Sequence, residues 1–514
     1  MAKIYLDALL PREDFDFNEN LNGSKKKESF SISDLRESDF FYSTLRKPDF
    51  QRETNEWGSD KICELVKSFL NEELIPAVIL WQSKGGNIFV IDGSHRVSSL
   101  IAWINDDYGD GQITKMAFDG LIPDEQIELA KKTRKLIEKE IGAYADYALG
   151  LKHPEKVRPE IAQKARRLGS IAVQLQWVEG DAASAEASFF KINQHASKID
   201  PTELKLIQSR KLAGGIASRA IIKAGKGHQY WNKFTDENIM EIVSLSKEVN
   251  ELLFLPKMTT PIKTLDLPIG GKGYSNQSAL LIFEFVNLVN KVGTKAVPED
   301  YDGALTVEYL KCCRKIVRLI NANHISSLGL HPAVYFYSKT GKHKTASFFA
   351  VTDFLIELDN KKALTKFTKI RDAFEDMLIE YDFLIQQIVR QYRGASPAMH
   401  HIKSFYENLM KQLSTNSKDK VAAIKAVMAV DNFKFLKLNE EDENVTASRF
   451  SDETKSSAFI IEALDNALRC KICGARIHAN SISIDHKIRK EDGGKGNLAN
   501  AQLTHPYCNS GVKN

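Results

Sequence analysis

Two pairs of metal-capable side chains, Cys470-x-x-Cys473 and His505-x-x-Cys508, are separated by 31 residues near the end of this 514-residue chain. A closed zinc site is built from such pairs, because each short knuckle sets two ligands at one corner of a tetrahedral ion and the intervening segment closes over it. The pattern constrains the last 45 or so residues to fold as one small stapled module. The bland alternative is two coincidental pairs of buried side chains. Cys63, Cys312 and Cys313 are scattered in apolar helical contexts. The clustering therefore speaks for metal and not for disulfides.

Between the knuckles, Ile482 and Ile484 alternate with polar residues and predict a short strand ending in Asp485 and His486, which then project to opposite sides. Lys487-Ile-Arg489-Lys490, Gly493-Gly494, Lys495 and the Asn497-Leu-Ala-Asn500 segment follow. The chain carries a net charge of +4, and the tail from Asp465 holds eight Lys/Arg against four acids, which accounts for the whole excess. A polyanion would be drawn there.

This stretch resembles the HNH family in its McrA-like branch: a strand ending in Asp-His, a Gly-Gly turn, an Asn-Leu segment and a helix entered through a second zinc knuckle. The resemblance implies that Cys470, Cys473, His505 and Cys508 hold structural Zn²⁺ and that His486 is the general base activating water. It also implies that Asp485 and Asn509 hold a catalytic Mg²⁺ or similar divalent ion, and that Asn500 orients the loop that aims His486. DNA is the implied substrate, with Lys487, Arg489, Lys490 and Lys495 on its backbone. One departure is His505, where the family usually has cysteine. Another is the very short final helix, on which the placing of Asn509 depends. A zinc ribbon that only binds DNA stays open as the non-catalytic reading, and His478 is expected at the surface or packed in a turn.

Toward the other end, Pro76–Trp81 and Asn87–Ile91 read as buried strands around the Lys84-Gly85-Gly86 turn, and Asp92-Gly93-Ser94-His95-Arg96 joins the second strand to a helix. A loop between a strand and a helix N-terminus offers free backbone N–H groups to an anion, and Gly93 admits close approach. Arg96 and Arg52 are candidates to grip phosphate, Asp92 a metal or hydroxyl, and His95 acid/base work. The alternative is an Asp92–Arg96 ion pair that merely holds the loop.

The Asp92–Arg96 signature, Phe50-Gln51-Arg52 upstream, and the Phe189–Leu204 element with Asn193 resemble the ParB/sulfiredoxin-like domains of GmrSD-type restriction systems. Ser94 stands where that family usually has Gln. The resemblance implies binding and hydrolysis of a nucleotide (an NTP), or engagement of DNA, at Gln51, Arg52, Asp92, Gly93, Ser94, His95, Arg96 and Asn193.

The fold expected is α+β and multidomain: a lead-in at 1–40, a ParB/sulfiredoxin-like α/β domain at 41–230, a mainly helical domain at 231–440, and a zinc-containing ββα-metal module at 457–514. Residues 11–35 are expected to be flexible. The polar segment 439–456 is the expected boundary, and Asp200-Pro201 an expected helix start. With 43% hydrophobic residues the chain has ordinary globular composition. No apolar stretch reaches bilayer-spanning length and the acidic N-terminus builds no leader core, so a soluble cytoplasmic protein is expected. Gly270–Ser275 is read as a hairpin turn, Ser338–Lys344 as a basic solvated loop and His400-His401 as surface. Taken with the family pairing, the expected function is a DNA endonuclease of anti-phage defence, gated by nucleotide or by a mark on phage DNA. A nucleotide-responsive DNA-binding regulator and a mobile-element or housekeeping endonuclease are the alternatives, and the helical middle allows a homo-oligomer without requiring one.

Overall fold

The computed structural model describes residues 3–13, 26–48, 51, 54, 57–83, 85–117, 122, 124–196, 205, 208–226, 231, 234–273, 276–293, 298–415, 419–438 and 449–512. The chain forms two compact units, Met1–Arg210 with Lys226–Tyr230, and Lys211–Gly225 with Trp231–Asn514.

The first unit is built on a mixed six-stranded sheet. Its strands are β1 (Arg12–Glu13), β2 (Ser29–Ser31), β3 (Leu45–Pro48), β4 (Val78–Gln82), β5 (Ile88–Asp92) and β6 (Ala172–Trp177), in the order β1-β3-β5-β4-β6-β2. β4 and β5 pair antiparallel, β3 with β5 and β4 with β6 parallel. The central strands are continuous apolar runs because both faces are covered. Val78, Leu80 and Val90 pack into one core with Val97 and Ile101 of the helix Ser94–Ile104. Trp81, Phe89 and Ile91 pack on the other side against Ala185 and Phe189 of the helix Ala182–Ala196.

Two stretches of the expected lead-in differ from that reading. Arg12–Glu13 pairs parallel with Lys47–Pro48, and Ser29–Ser31 pairs antiparallel with Ala172–Gln174. Phe30, Ile32 and Leu35 are buried, and three spaced apolar side chains in a polar stretch sufficed to anchor it.

The second unit is helical apart from its end. Helices Asp236–Phe254, Ala304–Ile320, Thr345–Asn360, Leu364–Glu380 and Ala395–Thr415 are the long ones, and Asp452–Asp465 precedes the C-terminal module. That module has a two-stranded antiparallel hairpin, β7 (Ser483–His486) with β8 (Ala501–Thr504), and a helical turn Cys508–Val512. Among the described residues no helix is long and apolar enough to cross a membrane. The boundary residues 439–448 and the helix start at Asp200-Pro201 lie outside the described residues.

Candidate nuclease and metal centre

Cys470 and Cys473 sit on a tight knuckle, in which the Cys470 amide donates to the Ala475 carbonyl and the Gly474 amide to the Cys470 carbonyl, both at 2.9 Å. His505 and Cys508 come from the segment that follows β8. The four ligating atoms all lie within 4.8 Å of one another. A tetrahedral ion with Zn–S bonds of about 2.3 Å spaces its ligand atoms by roughly 3.5–3.8 Å, so the cluster fits one such ion. His505 Nδ1 is 3.4 Å from Cys473 Sγ and 3.9 Å from Cys508 Sγ.

His505 Nε2 lies 3.0 Å from the Arg476 carbonyl, which can only accept, so Nε2 carries the proton and Nδ1 turns its lone pair to the sulfurs. Hydrogen bonds from Cys473 and Cys508 pull the Cys470 thiol far below its ordinary value. The hydrogen bond with Cys470 pushes Cys473 up to about 12, and the same bond drives Cys508 higher still. Three crowded sulfurs raise one another's cost of ionising, and a bound cation would offset it.

In β7 alternate residues face opposite sides. Asp485 is buried and accepts from Gln502 Nε2 at 2.7 Å, its partner across the hairpin. Asn509 Nδ2 donates to Ser483 Oγ at 2.8 Å, so it reaches the side of the strand that Ser483 shares with Asp485. His486, half-buried, follows Asp485 directly as the last residue of the strand. The final helix is a single π-type turn, Cys508–Val512, yet it suffices to set Asn509 beside β7. Asn500 braces the loop beyond His486: its Oδ1 accepts from the Ile488 amide at 2.7 Å, and its Nδ2 donates to the carbonyls of Ile488 at 3.1 Å and Lys495 at 2.9 Å. Lys487, Arg489, Lys490 and Lys495 are all exposed on that loop.

The residues behind this module were not foreseen. Fully buried Glu375, on the helix Leu364–Glu380, accepts from the Arg476 amide at 2.9 Å and from Arg371 Nε at 2.8 Å. Arg371 also donates to the carbonyls of Leu328 and Gly329. The Tyr507 amide donates to the Ser327 carbonyl, and a Cβ on Gly329 would come within 2.7 Å of His505 Cδ2. No local motif announces Glu375, which lies 101 residues from its backbone partner. Gln502 was legible in principle, because the hairpin register sets it opposite Asp485. Of the two places expected for His478, the surface and a turn, the structure has the packed turn: it is 2% exposed and its ring packs edge-on against buried His331 at 5.3 Å, with Nδ1 3.0 Å from the Asn321 side chain. Burial lowers its pKa to about 4.

In the first unit, Gly93 is the N-cap of the helix Ser94–Ile104 with φ of +98°, and no side chain caps its first turn. A Cβ there would meet Arg96 Nη2 at 2.9 Å. The Asp92–Arg96 ion pair weighed as the alternative is present, with Arg96 Nη2 2.7 Å from Asp92 Oδ2 and 3.2 Å from the Ala77 carbonyl. Two atoms nearby, Arg96 Nε and Gln51 Oε1, are buried with no hydrogen-bond partner among the described residues. Gln51 Nε2 donates to the Ile91 carbonyl at 3.3 Å, and Arg12 Nη1 donates to the Gln51 carbonyl at 2.5 Å. His95 stacks on Trp57 at 5.6 Å, and Ser94 is buried. Arg52 and the side chain of Asn193 lie outside the described residues.

The Gly270–Ser275 turn is described only through Gly273, and no strand flanks it among the described residues. In the Ser338–Lys344 loop, Tyr337 bridges His343 and Lys344 pairs with Asp382 at 2.6 Å. His401 stacks on Tyr392 at 3.6 Å, while His400 is exposed.

Residues 470–514, which hold the hairpin and the Cys/His cluster, match the family model described as HNH endonuclease. Residues 32–209 match the model described as GmrSD restriction endonuclease, N-terminal domain. The chain thus has the GmrSD-like two-domain architecture of a restriction-type nuclease. No curated protein matches the chain, and no solved structure does.

Proposed function

We propose that the chain cleaves DNA by hydrolysis of phosphodiester bonds at His486. The observation that carries this reading is that Asn509 reaches the side of β7 that holds Asp485, with His486 the next residue at the strand's end. His486 takes the proton from the attacking water, since a neutral imidazole near pH 7 is matched to that transfer. Asp485, oriented by Gln502, and Asn509, oriented by Ser483, offer the hard oxygen ligands that suit Mg²⁺ or a similar divalent ion. Such an ion, when bound, supplies positive charge against the charge developing on the scissile phosphate. Asn500 keeps the loop after His486 in one conformation, and Lys487, Arg489, Lys490 and Lys495 meet the DNA backbone. Zn²⁺ at Cys470, Cys473, His505 and Cys508 is structural in this reading, since all four positions are filled by protein.

The first unit gates this activity through an anionic ligand, a nucleotide or a modified base in foreign DNA, bound at Asp92–Arg96. Support comes from Arg96 Nε and Gln51 Oε1, a donor and an acceptor buried without partners among the described residues, next to a helix N-terminus that no side chain caps. The role this serves is defence of a bacterial cell against phage.

Plasmid cleavage with Mg²⁺, comparing wild type with His486→Ala at equal zinc content, tests the reading. Cutting is expected to disappear in the variant, and equal cutting by both chains overturns it. Titration of NTPs into wild type and Arg96→Ala tests the gate: no binding to wild type removes the nucleotide, and cleavage indifferent to DNA modification removes the mark.

A further inference from the structure

The loop that leaves His486 presents two aliphatic side chains to solvent, Ile488 at 58% and Leu498 at 91% exposure. Isolated exposed aliphatics are ordinary on any surface. These two differ in how firmly their backbone is held. Asn500 grips Ile488 from both sides, at its N–H and its carbonyl, and the Lys487 amide and ammonium donate to the carbonyls of Asn500 and Ala499, both at 2.7 Å. The Asp492, Gly493 and Gly494 amides close the turn on Arg489 and Lys490. Gly494 lies so near that a Cβ would come within 1.9 Å of the Ile488 carbonyl. Leu498 opens the short helical turn Leu498–Asn500, capped by Asn497 Oδ1 on the Asn500 amide at 3.0 Å. Two aliphatic side chains on a firmly held backbone are therefore displayed within a loop carrying four exposed cations, Lys487, Arg489, Lys490 and Lys495, against two acids, Glu491 and Asp492.

We infer that Ile488 and Leu498 form a wedge that presses between base steps of duplex DNA and bends it toward the reaction centre. Charge complementarity selects the occupant: a loop of this sign draws a phosphate backbone. Aliphatic side chains set between such cations gain contact when adjacent base pairs unstack, and the duplex kinks where they enter. Ile488 is two residues from His486, so the distorted step lies next to the bond the proposed function cleaves. The inference rests on that reading and adds a substrate property to it: the enzyme prefers readily deformed steps, because unstacking is least costly at pyrimidine–purine steps.

The test uses the full-length, zinc-loaded chain carrying His486→Ala, which separates bending from cutting, and a duplex labelled at both ends with a donor and an acceptor dye. Binding of the His486→Ala chain is expected to raise energy transfer. Adding Ile488→Ala and Leu498→Ala is expected to abolish that rise while the anisotropy of a singly labelled duplex still reports binding. Leu498→Met, which keeps an aliphatic wedge, retains the rise. An undiminished rise in the double variant overturns the inference, as does a parent chain that binds without any change in transfer or that binds no duplex. If the substitutions change only the sedimentation of the protein alone, the pair is a contact between copies of this chain and the inference falls. Failure of the nuclease reading shows elsewhere, as wild-type plasmid that stays uncut.

Discussion

Asn500 and Ile488 hold each other by two hydrogen bonds in opposite directions, Ile488 N–H to Asn500 Oδ1 at 2.7 Å and Asn500 Nδ2 to the Ile488 carbonyl at 3.1 Å. A side-chain amide, with a donor and an acceptor on one carbon, can bond the N–H and the carbonyl of a single residue in this way. Asn500→Ala removes this brace together with the bond to Lys495. The loop beyond His486 then has no fixed conformation, and cutting is expected to fall by about a hundredfold, the scale of a small misplacement of reacting groups. Plasmid-nicking rates measure this, with zinc content unchanged and trypsin cleavage between Lys487 and Lys495 accelerated. Asn500→Asp is not expected to rescue, because its second oxygen would face two carbonyl acceptors.

Gly329 has φ of +62° and abuts the metal cluster. A methyl group there would meet His505 Cδ2 and Ser481 Oγ, both at 2.7 Å, and the left-handed backbone itself strains any side chain by about 1 kcal/mol. The two neighbours cannot both yield, since Ser481 is bonded to Ser327 and His505 to Arg476. Gly329→Ala is expected to weaken zinc binding, seen as faster loss of metal to a chromophoric chelator, and to lower the melting temperature. Equal chelation rates for the two proteins would contradict this.

The division between what was legible and what was not follows the range of the interactions. Ile88–Asp92, Ser94–Ile104 and Ser483–His486 announce themselves because apolar period and turn chemistry are local. The Cys470, Cys473, His505 and Cys508 cluster is legible for the same reason, each pair lying within one turn. Arg12–Glu13 and Ser29–Ser31 were not, because such short strands carry no period and exist only through partners 35 and more than 140 residues away. Glu375 and Arg371 lie in a helix whose amphipathic pattern reads as ordinary core. Only the fold brings their charges to the back of the knuckle.

His331 and His478 are buried against each other and both titrate low, His331 well below its ordinary value by burial and His478 at about 4. Unfolded, each would bind a proton near pH 6.5, so between that pH and about 4 the unfolded chain holds more protons than the folded one. The second unit is therefore at full stability above pH 6.5 and loses it progressively as the pH falls. His331→Phe, which fills the space without a titrating group, is expected to flatten the fall in melting temperature between pH 6.5 and 5. The control is the same scan on wild type, and parallel curves would count against the buried pair as a source of acid lability.

Glu375, Arg476 and His505 form a chain of contacts from the helix Leu364–Glu380 to the metal: the Glu375 carboxylate accepts the Arg476 amide, and the Arg476 carbonyl accepts His505 Nε2–H. In Glu375→Gln, whichever way the new amide is turned, its NH₂ group meets a donor, the Arg476 amide on one side or Arg371 Nε on the other. Arg371, fully buried, also loses its counter-charge, and removing one partner of such a pair costs about 3–5 kcal/mol. Thermal unfolding is expected to show that loss, and competition with a chelator a weaker hold on zinc. Replacing both charges, Arg371→Met with Glu375→Leu, separates the two effects. Without the buried charges much of the stability returns. The Arg476 amide still has no acceptor, so His505 remains poorly seated and the zinc affinity stays low. Recovery of both together would mean that the carboxylate acts only through its pairing with Arg371 and does not position the knuckle.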